Sequence, residues 1–291
     1  MRPTIGIIGA GKVGSTLARL LYKTGYEITA VYSRTPEKVR ALAEKTDATI
    51  ANQLSDVVKN ANLILLTVSD DAIETIATEL ASCDWQGRAI VHTSGAAGIE
   101  KLQSLADASA MVGSLHPAFP FADVESAMEK LAGASFAVEA PDGQLKIWLQ
   151  DIVVALDGQV ILIPEGKKAL YHAALVIASN YTVTLYAIAQ QMLKNLDADS
   201  EAIDNALTTL VQATVENIAS QGIPDALTGP LSRADTGTIQ SHLAAIDDYT
   251  LATAYIALAR LSFPMLQQRG INTHLIEKLL QDSHNETSHD S

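Results

Sequence analysis

Short apolar runs alternate with amphipathic stretches through the first half of the chain. The runs predict strands at 4–8, 27–32, 48–50, 63–68, 89–92 and 109–114, with two more at 135–139 and 159–163. Between them, apolar positions recur at helical spacing over 13–23, 36–45, 54–60, 71–80, 99–105 and 143–155. Such alternation specifies a parallel sheet with helices on both faces. After Pro164 the pattern is helical only, over 165–195, 199–221, 238–245, 247–269 and 272–281. Leu207, Leu210, Val211, Thr214, Val215 and Ile218 form one stripe of the second of these. The expected fold is an α/β parallel-sheet domain over 1–164, then an all-α domain over 165–281. A polar tail, 282–291, is expected to be disordered.

The first strand leads into Gly9-Ala10-Gly11-Lys12-Val13-Gly14, a dinucleotide fingerprint at the start of a helix. Gly9 permits the sharp turn, Gly11 lets a pyrophosphate approach the backbone, and Gly14 lets the helix pack on the strand. The first helical turn then offers its N–H groups and the positive end of its dipole to the phosphates. The first domain is therefore expected to be of Rossmann type. NAD sites place a carboxylate at the end of the second strand; this chain has Ser33, Arg34 and Thr35 there, with Lys38 one turn on. A guanidinium and hydroxyls suit a 2′-phosphate, so the expected cofactor is NADP(H). Val68 and Ser69, ending the fourth strand, should line the same crevice. Asp70 and Asp71 read as caps of the following helix, and no metal site is expected.

The 291 residues carry a formal net charge of −13. That excess repels nucleic acid and anionic membrane surfaces, so neither is an expected partner. Hydrophobic residues make up 48% of the chain, enough for a substantial core. The one cysteine, Cys83, leaves no intrachain disulfide and suits a reducing, cytoplasmic setting. The stretch 169–189 comes nearest to a membrane span. Because it carries His172, Ser179, Asn180 and Thr182, it reads instead as a buried helix.

Three groups of residues could carry chemistry on a small-molecule substrate. Ser94 and His116 follow the fifth and sixth strands, where the carboxyl ends of parallel strands meet a ligand. His116 is a candidate proton donor and Ser94 a hydrogen-bond donor; the alternatives are a histidine bonded to a loop carbonyl and a helix cap. On the first helix after Pro164, Lys168 and His172 are candidate acids and Asn180 a substrate-orienting amide; the alternative is a packing face. Near 227–242, Arg233 could clamp a carboxylate, with Asp235 and His242 beside it, unless Asp235 only pairs with Arg233 or caps a helix.

Several of these segments together resemble a known family. They are Ile7 to Gly14, Val68 to Ala72, His92-Thr93-Ser94-Gly95, Leu115-His116-Pro117, His172 to Tyr181, and Leu227 to Arg233 with His242. The chain resembles, to about Leu280, bacterial Rossmann-like oxidoreductases with a conserved C-terminal domain of unknown function. The family is similar in architecture to 6-phosphogluconate dehydrogenase, the β-hydroxyacid dehydrogenases and ketopantoate reductase. The resemblance implies a helical C-terminal domain, a homodimer formed through it, and a site in the cleft between domains. The β-hydroxyacid dehydrogenases carry a lysine four residues before an asparagine; here Val176 stands four before Asn180, which counts against sugar-acid dehydrogenation. The His116-Pro117 pair is similar to an active-site element of prephenate dehydrogenases. The expected activity is NADPH-dependent reduction of a small carboxylate-bearing carbonyl compound, with ketopantoate as the substrate guess. Arg233 or Lys168 would hold the carboxylate, and His116 or His172 would supply the proton. The alternative expectation is an NADP-binding sensor without catalysis.

Overall fold

The computed structural model describes residues 2–194, 196 and 199–289, with 283–289 as backbone only. Eight strands form one sheet: β1 (Ile5–Ile8), β2 (Ile28–Tyr32), β3 (Thr49–Ile50), β4 (Leu63–Leu66), β5 (Ala89–His92), β6 (Met111–Pro117), β7 (Ser135–Glu139) and β8 (Gln159–Leu162). Their order is β3-β2-β1-β4-β5-β6-β7-β8. Neighbours run parallel except β6 and β7, which are antiparallel. The order reverses between β1 and β4, and the crevice at that switch point is where such sheets take ligands.

Helices α1 (Lys12–Lys23), α2 (Pro36–Thr46), α3 (Leu54–Asn60), α4 (Asp70–Leu80), α5 (Gln103–Asp107), α6 (Val124–Lys130) and α7 (Gly143–Ala155) connect the strands. Successive strand residues feed opposite cores. Ile5, Ile7, Leu63 and Leu65 pack with Leu17 and Leu21 of α1. Ile8, Ile64 and Leu66 pack with Val57, Ile73 and Trp85 on the other face. A sheet buried on both faces is why these strands read as unbroken apolar runs.

The chain divides into two compact units that meet at Thr184 and Leu185, rather than at the expected boundary after 164. The first unit keeps α8 (Lys168–Ala178) because this helix bonds to β6 through Lys168 and Tyr171. The long helix expected over 165–195 is two, α8 and α9 (Asn180–Lys194), which meet at Ser179. The stretch Lys168–Lys194 is long and apolar enough to cross a membrane by length and composition. It is not the buried helix expected: Leu170, Ile177, Tyr181 and Val183 are all exposed. Among the described residues nothing covers their apolar groups.

The second unit contains α10 (Ser200–Gln221), α11 (Thr236–Ala245), α12 (Tyr249–Leu261), α13 (Phe263–Gln268) and α14 (His274–His289). Its core joins Ile239, Ile256, Ala259, Ile276 and Leu280. The helix expected over 247–269 breaks at Ser262, because Pro264 opens a new helix rather than extending the old one. The tail expected to be disordered from 282 continues α14 through His289, since no glycine or proline ends the helix; 290–291 lie outside the described residues.

Candidate active site

The turn between β1 and α1 forms a cradle. Gly9 has φ +110°, a conformation that disfavours a side chain. A methyl on Gly14 would collide with the Gly9 carbonyl and the Thr67 hydroxyl, so this glycine sets the close approach of helix to strand. A methyl on Gly11 would meet no protein atom within 4 Å, which leaves its backbone open to a ligand. Thr67, not singled out by the sequence, fixes the turn: its hydroxyl donates to the Gly9 carbonyl at 2.6 Å. We expect Thr67→Val to destabilise the protein by about 1 kcal/mol, measured by urea unfolding, because a part-buried carbonyl loses its donor. An unchanged midpoint would contradict that role.

A pocket of about 490 Å³ opens from this cradle. Gly9, Ala10 and Gly11 line it at one end, and Ser33, Arg34, Thr35 and Lys38 at another; Val68 and Ser69 complete one wall. Arg34 and Lys38 are exposed and form no ion pair among the described residues, so their charges face the pocket unneutralised. Lys12 and Val13, expected at the cofactor, do not line the pocket, and nor does Gly14. They belong to the first turn of α1, whose leading N–H groups have no partner within the helix. Asp70 and Asp71 are not caps: Ser69 occupies that position and both carboxylates sit in the first turn of α4, where they favour the helix dipole. No group of three or more metal-ligating side chains occurs among the described residues.

The residues fit NADP(H). The open Gly11 suits the pyrophosphate, and the unpaired Arg34 and Lys38 beside two hydroxyls suit a 2′-phosphate.

Beyond the cradle, two imidazoles converge. A methyl on Gly95 would lie 2.5 Å from His172 Cδ2 and 2.7 Å from His116 Nε2. Their rings meet edge to face at 6.1 Å. His116 Nδ1 is 3.1 Å from the Tyr171 hydroxyl, a partner that sequence reasoning missed. The signal was available: Tyr171 lies one turn past Lys168 and next to His172 on the same helix. Burial, then the Lys168 charge and His172, push His116 down to about 4, so its imidazole is neutral at physiological pH. His116 and His172 line a separate pocket of about 340 Å³, with Phe119, Leu175, Val176 and Asn180. Ser179 lines the pocket beside Asn180.

Two other expected catalytic groups do not reach this pocket. Ser94 is buried, and its hydroxyl oxygen accepts from the Ala96 and Ala97 N–H groups, so it pins the turn after β5. Lys168 is only 3% exposed and donates to the Ser114 hydroxyl at 2.5 Å. Its ammonium is therefore engaged with Ser114 and is not free to hold a substrate carboxylate.

His92 is fully buried, with Nε2 3.1 Å from the Gly98 carbonyl. Burial pushes it, like His116, to about 4. Both imidazoles are neutral in folded and unfolded chains at high pH. Between about 6.5 and about 4 the unfolded chain binds protons that the folded chain does not, so stability falls as the pH drops through that window. We expect a lower urea midpoint at pH 5 than at pH 7; equal midpoints would contradict the burial of neutral imidazoles.

In the second unit, Asp235 caps α11, accepting from the Thr238 N–H at 3.0 Å and the Thr238 hydroxyl at 2.7 Å. That replaces the substrate contact expected of it. Arg233 forms no ion pair among the described residues. His242 is exposed and stands 2.9 Å from the Tyr255 hydroxyl, a local contact between α11 and α12.

The sheet order and the glycine cradle define a dinucleotide-binding protein of Rossmann type. Residues 1–117 match the model of a Rossmann-like domain, and residues 134–262 match that of a domain of unknown function, DUF2520. The chain thus joins a Rossmann-like domain to a DUF2520 domain, the pairing that its motifs resemble. L-aspartate dehydrogenase of Methanocaldococcus jannaschii is 34% identical over 77 residues, which is 25% of this chain. The matched stretch spans 29% of that relative's length. Among solved structures, BF3122 of Bacteroides fragilis, assigned as an NADP oxidoreductase, is similar with a TM-score of 0.69 and 25% identity, covering 90% of this chain and 98% of that one. A pyrroline-5-carboxylate reductase from Coxiella burnetii has a TM-score of 0.60 at 16% identity, covering 99% of this chain and 98% of its own; it shares the fold.

Proposed function

We propose that the protein is an NADP(H)-dependent reductase acting on the C=O or C=N bond of a small molecule. The observation that carries this reading is the convergence of His116, near the end of β6, and His172, on α8, over Gly95 after β5, on the sheet that also carries the dinucleotide cradle. When bound, the dinucleotide supplies hydride. Gly9, Gly11, Arg34 and Lys38 hold and select it. His116 presents Nε2 to the reacting bond: with Tyr171 donating to Nδ1, Nε2 carries the hydrogen. A neutral imidazole in this position polarises a carbonyl or imine; as hydride adds to carbon, its Nε2 proton passes to the product oxygen or nitrogen and is replaced from solvent. Asn180 orients the substrate, and Phe119, Leu175 and Val176 exclude water from it.

None of the residues lining the histidine pocket is lysine or arginine. The portion of substrate seated there is accordingly uncharged or cationic, which supports an imine or simple ketone over a carboxylate. The NADP assignment of the Bacteroides fragilis protein accords with this reading. It is tested by NADPH oxidation on a panel of 1-pyrroline, small ketones and ketopantoate, with His116→Asn in parallel. Turnover of at least one compound, lost in the variant, supports the reductase. NADPH binding without turnover of any compound would favour a non-catalytic NADP sensor. Tyr171→Phe should lower kcat by about tenfold with NADPH affinity unchanged, as the Nδ1 hydrogen bond is lost; unaltered turnover would remove Tyr171 from the mechanism.

The exposed apolar residues Leu170, Ile177, Val183, Leu210 and Val215 support the homodimer implied by the family resemblance. A second copy of the chain is the cover we assign to them, in a reducing cytoplasm that suits the free Cys83. Light scattering should give twice the chain mass, and Val183→Glu should shift it toward one; a monomeric parent would contradict the assignment.

A further inference from the structure

A row of buried polar groups crosses the sheet two residues along β6 from His116. His92 of β5 is paired in register with Ser114 of β6, and Ser114 with Glu139 of β7. Cross-strand partners share a face, so these three side chains project to the same side. All are buried, and α8 adds the buried Lys168 to them. The Lys168 ammonium donates to the Ser114 hydroxyl at 2.5 Å, and that hydroxyl donates to the Glu139 carboxylate at 3.4 Å.

Two side-chain hydrogen bonds therefore join α8 to β6. Lys168 reaches Ser114, and one helical turn later Tyr171 reaches His116, two residues further along the strand and on the same face. Three residues on the helix rise about 4.5 Å and two on the strand about 6.6 Å, a difference taken up by the long side chains of Lys168 and Tyr171. Burying an ammonium and a carboxylate costs more than an apolar pair of the same volume would, so stability alone does not account for the Lys168 contact.

We propose that Lys168 is a positioning residue for His116. Its ammonium, bonded to the Ser114 hydroxyl, sets α8 on β6 so that Tyr171 and His172 meet the imidazole, and it places a positive charge near that imidazole. The inference rests on the assignment of His116 to the reacting bond, but its test does not need a substrate. The charged and titratable groups acting on His116 are few. Lys168 and His172 from α8 and His92 from β5 disfavour its protonation, while Asp70 at the start of α4 favours it; the Tyr171 phenol is held protonated by burial. Among these, Lys168 is the largest charge opposing protonation. Burial lowers Lys168 itself to about 8, and Glu139 and Glu100 counter that fall, which leaves the ammonium predominantly charged at pH 7.

The test is histidine ring NMR on the full-length, NADPH-bound protein, titrating His116 in the parent, Lys168→Met, Lys168→Arg and Ser114→Ala. Lys168→Met should raise the proton affinity of His116 by roughly tenfold or more, one pKa unit. Lys168→Arg should restore most of the parent behaviour, and Ser114→Ala should shift His116 in the same direction as Lys168→Met but less. NADPH affinity should change by less than about threefold throughout, because Lys168 does not line the dinucleotide pocket. An unmoved His116 titration in a Lys168→Met protein that still binds NADPH would overturn the proposal. Should Lys168→Met fail to fold, Ser114→Ala decides: a shift supports the role and its absence overturns it. Failure of the reductase reading appears as missing turnover in the parent, a readout independent of this one.

Discussion

Arg34→Glu should weaken NADPH binding by at least about a hundredfold while changing NADH binding by less than about threefold. The argument is electrostatic and local. Arg34 lines the dinucleotide pocket beside Ser33, Thr35 and Lys38, and no carboxylate neutralises it among the described residues. A hydrogen bond to a charged group contributes roughly 1.5–3 kcal/mol, and the substitution replaces that contact with like-charge repulsion. NADH lacks the 2′-phosphate and so loses neither. Fluorescence titration of both nucleotides reads the difference. Equal weakening of the two would mean that Arg34 supports the fold of the pocket and does not select the phosphate.

Gly95→Ala is the second substitution with a large expected effect. Its backbone does not need glycine, since Gly95 is absent from the residues with positive φ. What the position needs is space: a methyl there comes within 2.7 Å of His116 Nε2 and 2.5 Å of His172 Cδ2. Both rings must move by several tenths of an ångström or more, and displacements of that order at a reacting centre cost about a hundredfold in rate. We expect kcat to fall by about that factor, with NADPH affinity within about threefold of the parent because Gly95 lies outside the dinucleotide pocket. Turnover within twofold of the parent would show that the two imidazoles are not where the chemistry occurs.

The first unit was legible because its strands are buried on both faces and carry little but apolar residues between punctuating turns. The glycine fingerprint and Arg34 could be placed from spacing alone, since each glycine answers a local backbone or packing demand. What the sequence hid lies in the contacts between elements. Thr67 reads as an ordinary strand residue until its hydroxyl is seen on the Gly9 carbonyl. Lys168 reads as a surface or catalytic lysine, because nothing local reveals that β6 and β7 bring Ser114 and Glu139 beneath it. Ser94 and Asp235 were candidates for chemistry, and local turn and cap geometry claims both. The helix over Val124–Lys130 was missed although Asp123 supplies its cap. Helix breaks at Ser179 and Ser262 were missed for different reasons: Pro264 signals the second, and no local residue signals the first.

The central claim is that this chain carries a selective NADP(H) site serving a reductase. Its most direct measurement is a fluorescence titration of the purified protein with NADPH and, in parallel, NADH. The account predicts saturable binding of NADPH at least about tenfold tighter than NADH, in proportion to the contacts available to the 2′-phosphate. Equal affinity for the two nucleotides, or tighter binding of NADH, would contradict it.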